Sequence, residues 1–90
     1  MRAGRISFAE VSYDAASDVL YARISGGRPL RREKTEDGDI WSYGEDDQPT
    51  AVIVMEPGAR LERDGAVFLI VPAGDRLRLQ GIEAAMRSVV

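Results

Sequence analysis

The stretch Tyr13-Asp14-Ala15-Ala16-Ser17-Asp18-Val19-Leu20-Tyr21 decides the fold, because it reads as a strand, a tight turn and a second strand. Asp14 can bond its own downstream backbone in an Asx turn, and the small residues after it leave room for the reversal. Beyond the turn, Leu20, Ala22 and Ile24 fall on one face, with Val19, Tyr21 and Arg23 on the other. Upstream, Ile6 and Phe8 share one phase while Val11 and Tyr13 share the opposite one. That slip predicts either a bulge near Ala9-Glu10 or a strand that begins there. Ser25-Gly26-Gly27 ends the hairpin.

Outward from the hairpin, Arg31 to Thr35 is charged and reads as an edge strand, since charge there blocks unwanted pairing. Asp37-Gly38 is a hairpin signal leading into Ile40-Trp41-Ser42-Tyr43. After the turn Gly44-Glu45-Asp46-Asp47-Gln48-Pro49, Thr50 to Met55 is a continuous β-branched apolar run, which predicts a central strand covered on both faces. Pro57-Gly58 closes this unit, so residues 6–57 are expected to form an antiparallel meander of four or five strands. Asp64-Gly65 then introduces a strand expected at 66–71, and Pro72-Ala73-Gly74 breaks the chain. Asp75 can cap a helix, and Leu79, Ile82, Met86, Val89 and Val90 fall near helical spacing. A helix is expected over 81–89. Residues 75–81 stay open between strand, loop and helix, because Leu77 and Leu79 alternate and Gly81 disfavours a helix by about 1 kcal/mol. The expected fold class is α+β, mostly β: an antiparallel meander of five to six strands with a short C-terminal helix, in one domain over residues 1–90.

Composition excludes much chemistry. The 90 residues include no cysteine and no histidine. Disulfides, thiolate or imidazole metal sites, and cysteine–histidine catalytic pairs are therefore ruled out. A chain this short buries only about 60–65% of its unfolded surface, so a partner subunit is the expected source of added stability. The net charge of −3 disfavours a general attraction to nucleic-acid phosphate. No apolar run approaches the roughly 20 residues that span a bilayer, and no apolar segment follows the basic N-terminus. A cytoplasmic protein that binds neither nucleic acid nor membrane is expected.

The opening hairpin resembles the family catalogued as domain of unknown function 2283, short bacterial and archaeal proteins. The resemblance rests on Tyr13, Asp14, Asp18, Leu20 and Tyr21, followed by Glu36-Asp37-Gly38-Asp39-Ile40 and the strand–turn–strand from Trp41 to Met55. It covers about residues 9–57, leaving 58–90 as an extension. The chain departs from the family pattern at Tyr43-Gly44, where an aromatic-Asp pair is usual. It departs again at Ala51-Val52-Ile53, where the family carries Gly-Ile-Glu. The second departure implies a buried strand face in place of a polar site. The family has no agreed activity. The occurrence of some members beside small toxin-like proteins implies an antitoxin-like role.

Among candidate constellations, Glu36-Asp37-Gly38-Asp39 and Glu45-Asp46-Asp47 offer oxygen ligands for a hard cation, yet neither has calcium-loop spacing and both sit where turns favour Asp and Gly. Asp14 and Asp18 form a carboxylate pair, but acid–base chemistry also needs a pocket to shift one pKa. Tyr13, Tyr21, Trp41 and Tyr43 are flanked by acidic residues, which favours cross-strand packing or a protein interface over base stacking. Arg28, Arg31 and Arg32, with Arg60 and Arg63, read as edge decoration. No catalytic, metal or cofactor residues are assigned. The expected function is a small non-enzymatic protein-interaction or oligomerisation domain, antitoxin-like in its resemblance. A metal-dependent or accessory enzyme using the acidic turns is the alternative. The expected partners are a second copy of the chain or another small protein encoded nearby. The expected interface residues are Trp41, Tyr43, Phe68, Met86, Val89 and Val90.

Overall fold

The phase slip between Phe8 and Val11 marks a change of sheet. In the computed structural model, which describes residues 1–87, strands β1 (Arg2–Ala3) and β2 (Ile6–Ser7) belong to one antiparallel sheet. Strand β3 (Glu10–Asp14) opens another. Of the two explanations for the slip, the strand that begins at Ala9-Glu10 is the one found. β3 pairs with β4 (Val19–Arg23) from Glu10↔Arg23 to Asp14↔Val19. Their turn closes by Asx chemistry, with the Ala16 and Ser17 N–H groups donating to Asp14 Oδ1 at 3.1 and 3.4 Å.

β5 (Arg31–Lys34), β6 (Ile40–Tyr43) and β7 (Pro49–Met55) complete this sheet, with a single 3-10 turn at Glu45–Asp47 before β7. The order is β3-β4-β7-β6-β5. Every pairing is antiparallel, as expected, but the strands are not consecutive. Residues 24–30 carry the chain from β4 to the far edge, and β5, β6 and β7 then step back until β7 lies against β4. The charged β5 takes the edge position that its charges predict.

The smaller sheet has the order β2-β1-β9-β8, with β8 (Phe68–Ile70) and β9 (Arg76–Gln80) joined through residues 71–75. Residues 75–81, open on sequence, are mostly strand, in keeping with the alternation of Leu77 and Leu79. Asp75 is not a helix cap: its carbonyl accepts the Val71 N–H at 2.8 Å within the turn. Helix α2 (Ile82–Arg87) starts after Gly81, whose φ of +82° few other residues adopt. Val89 and Val90 lie outside the described residues.

Helix α1 (Pro57–Asp64) corrects the reading of Pro57-Gly58 as a terminator. Proline is favoured at the first helical position, where its missing N–H would have no helical partner. The preceding residue, Glu56, is left-handed at φ 51° and supplies no side-chain cap. The cap comes from Asp18, forty residues back. Gly58 and Ala59 donate their N–H groups to Asp18 Oδ1 and Oδ2 at 2.9 and 3.1 Å. The Tyr13 hydroxyl donates to Oδ1 at 2.8 Å, and Glu56 N–H reaches the Asp18 carbonyl at 2.8 Å. A Cβ on residue 58 would stand 2.9 Å from Asp18 Oδ1, so a larger residue there would push the capping carboxylate away.

The inner faces of the two sheets share one apolar cluster. Leu20, Ala22, Trp41, Val52 and Val54 meet Ala3, Leu69, Leu79 and Ile82. Trp41 is its hub: the indole N–H donates across the layers to the Ile70 carbonyl at 2.9 Å, and the Phe8 ring lies 6.3 Å away. Among the described residues, no helix is long and apolar enough to cross a membrane.

Burial pushes the Asp18 carboxyl up, but the Tyr13 hydroxyl and the Gly58 and Ala59 N–H groups outweigh it and hold the group below its ordinary 3.8. A carboxyl depressed on folding contributes stability above its unfolded pKa and loses it as pH falls through the folded value. Asp18→Ala is therefore expected to cost about 2 kcal/mol at neutral pH, read from urea denaturation. Asp18→Asn is expected to flatten the fall in stability below pH 3.8.

Candidate interaction face

The acidic turns are the first place to look for chemistry, and arginines already occupy them. Asp39 is fully buried; its Oδ1 accepts the Met55 N–H and Arg60 Nη1, each at 2.9 Å. Arg60, itself largely buried, also donates to the carbonyls of Met55 and Phe68 at 3.1 and 2.6 Å, tying α1 to β7 and β8. Burial raises the Asp39 carboxyl pKa, while the Met55 N–H and Arg60 pull the other way. Asp37 pairs with Arg76 and Asp47 with Arg31, each at 3.1 Å. The two turns do not converge, and no group of three potential metal-ligating side chains forms among the described residues.

Asp14 and Asp18, the other carboxylate pair, are separated by role. Asp14 closes the hairpin and Asp18 caps α1. Arg31 stacks over the Tyr43 ring at 4.3 Å and pairs with Glu33 at 2.6 Å, which fixes both side chains of β5 that share the inner face.

The surface left over is the outer face of the five-stranded sheet. β7 alternates strictly: Thr50, Val52 and Val54 are buried, whereas Ala51, Ile53 and Met55 are only half-buried. The expectation that this strand is covered on both faces therefore holds for one face only, because the second sheet packs on one side. Cross-strand pairing extends the outer side into rows, in which Ser42 and Val19 are buried by the chain itself and the other members are half-buried or exposed. One row runs Glu10, Arg23, Ala51, Ser42, Arg32 from edge to edge. The next runs Ser12, Tyr21, Ile53, Ile40, Lys34, and a third joins Asp14, Val19 and Met55. Tyr21, at 48% exposed, is the most open of the large apolar side chains on this face. The crossover after β4, through Ser25, Gly27 and Pro29, walls one end and makes the surface a groove of about 400 Å³.

Charge divides across this face by strand. The β3 edge carries Glu10 and Asp14, the β5 edge carries Arg32 and Lys34, and the centre is apolar. Arg23 stands between and reaches Glu10 at 3.8 Å, with both side chains well exposed. Such a pair contributes about 0–1 kcal/mol.

The residues expected at an interface fall elsewhere. Trp41 and Tyr43, 1% and 6% exposed, belong to the chain's own core, because a large aromatic on the inner face fills the gap between two sheets. Phe68 is exposed on β8, at the edge of the smaller sheet, and Met86 is half-buried against the core. Val89 and Val90 lie outside the described residues. Of the residues on this outer face, the sequence singles out Tyr21, as one of the aromatics suited to cross-strand packing or an interface, but neither Ile53 nor Arg32 in that role. The signal was present in the Thr50–Met55 run, apolar in both phases within an antiparallel protein. Comparison with protein-family profiles, with curated proteins and with solved structures returns no match.

Arg60→Gln strands a buried carboxylate and is expected to cost about 3–5 kcal/mol at neutral pH. Asp39 is raised on folding, so its ionisation weighs against the fold as pH rises through the folded value. The Arg60→Gln deficit should accordingly shrink in acid, where Asp39 is neutral, as urea melts at the two pH values will show. Calorimetric titration with calcium or magnesium is expected to give no binding heat at micromolar affinity.

Proposed function

We propose that this chain is a non-enzymatic protein-interaction and self-association domain that works through the outer face of its five-stranded sheet. The observation that carries the reading is the central strand β7, apolar in both phases but covered on one face only. Strands apolar on both sides belong to sheets with both faces packed. Residues Ala51, Ile53 and Met55, with Tyr21 and Ile40 beside them, form the matching uncovered surface. Contiguous apolar surface rimmed by charge is the usual composition of an interaction site.

Supporting this, Asp37, Asp39 and Asp47 of the acidic turns are each paired with an arginine of the same chain, a structural use of those carboxylates. The small size of the chain adds a thermodynamic motive, since covering a further apolar face raises the stability of a domain with little core to spare.

Light scattering coupled to size-exclusion chromatography is expected to give a mass above one chain for the wild type. Tyr21→Asp is expected to return it to one chain, and Phe68→Asp, on the smaller sheet, to leave it unchanged. A wild type of one chain at every concentration overturns the self-association reading. Loss of assembly in Phe68→Asp alone would move the interface to the other sheet.

A further inference from the structure

The outer face carries more than apolar area: its charges are arranged for a second copy of itself. We infer that two chains pack outer face to outer face about a two-fold axis that runs along β7, setting Glu10 of each against the partner's Arg32. This rests on the interaction reading above and adds the occupant and its orientation.

The geometry follows from strand order. β7 is the third of five strands, so a two-fold lying in the interface along β7 exchanges the β3 edge with the β5 edge. Each cross-strand row then lies over its own copy in reverse. Glu10 and Arg32 end the same row, on opposite edges, and so become neighbours across the interface twice. Lys34 comes over the Ser12 end of its row, beside Asp14, so the acidic edge meets the basic one along its length. Ile53 and Ala51 sit on the axis, and Tyr21 meets the partner's Ile40.

The other two-fold that keeps the faces together with their strands aligned runs across the strands. It lays the β3 edge on the β3 edge and the β5 edge on the β5 edge, bringing Glu10 and Asp14 onto their own kind and Arg32 onto Lys34. Charge therefore selects the first axis. Arg32 and Lys34 have no ion-pair partner within the chain among the described residues, so they are free for this use. Tilting the axis about 15° from β7 gives the aligned packing of twisted sheets, about 30° apart at roughly 10 Å separation, and keeps the same edges opposed.

Five strands spaced about 4.8 Å apart, with three rows about 6.8 Å apart, give a face of roughly 24 by 20 Å, so two copies bury on the order of 1,000 Å² in total. That is at the lower end of specific interfaces, so the dimer is expected to be concentration-dependent. Sedimentation equilibrium on the full chain separates the two levels of the inference. Wild type is expected to show a monomer–dimer equilibrium, and Ile53→Asp a monomer. Glu10→Arg and Arg32→Glu are each expected to weaken the dimer by about tenfold, because each reversal is felt at two symmetric contacts. The double variant Glu10→Arg/Arg32→Glu is expected to recover wild-type affinity. Both positions are exposed, and circular dichroism is expected to show unchanged folds. A monomeric wild type, or an Ile53→Asp dimer, overturns the face and the orientation together. If Ile53→Asp dissociates but the single reversals do not weaken the dimer, or the double does not recover it, the orientation falls and the face stands.

Discussion

The side chain and carbonyl of Asp18 hold together parts of the chain that would otherwise have no reason to meet. The carboxylate accepts a hydroxyl from its own hairpin and two backbone N–H groups from the start of α1, while the carbonyl binds Glu56, the residue between β7 and α1. These contacts fix where β7 stops and where α1 begins. Arg60 on that helix then reaches Asp39, Met55 and Phe68, which orients the helix and brings β8 beside the larger sheet. Remove the carboxylate, and the ordering of the second half relative to the first loses its anchor.

The fold shows how a short chain uses a few buried polar groups to set the geometry of an otherwise apolar core. Trp41 fills the space between the layers and satisfies its N–H on the opposite sheet. Asp39 is more expensive: it is wholly buried, and its second oxygen has no partner. Replacing such a pair with apolar residues is often no loss to stability. What the pair supplies here is position, because the Arg60 side chain makes three bonds, to Asp39, Met55 and Phe68, that no apolar side chain could direct. The charged residues at the surface, by contrast, contribute little to stability.

Much of this architecture was legible in the chain. The hairpin around Asp14, the edge character of β5 and the α+β class follow from turn chemistry, charge and alternation. Three features were not, and each failed for a physical reason. Helix α1 has its cap forty residues away, so the local pattern shows Pro57-Gly58 with no cap and looks like a stop. The insertion of β7 between β4 and β6 leaves no mark in alternation, which reports faces and not neighbours. The aromatics Trp41 and Tyr43 read equally well as core or interface, because composition does not say which side of a strand another sheet will cover. The uncovered face was half-visible: the apolar run revealed a strand that needs both sides packed, but not which side the chain itself would pack.

The placement of β7 also has a consequence for how the chain comes into being. In order of synthesis, the β3–β4 hairpin is complete at residue 23, yet the strand that satisfies the inner edge of β4 does not arrive until residues 49–55. Until then β4 presents an open row of backbone donors and acceptors, and the hairpin is at best marginal alone. An eight-residue helix with a distant cap is equally unable to persist by itself. The large sheet cannot close before β7 emerges, the helix that Asp18 caps follows it, and Trp41 gains its partner on the opposite layer only at Ile70, so the open edge of β4 is exposed for most of the chain's synthesis.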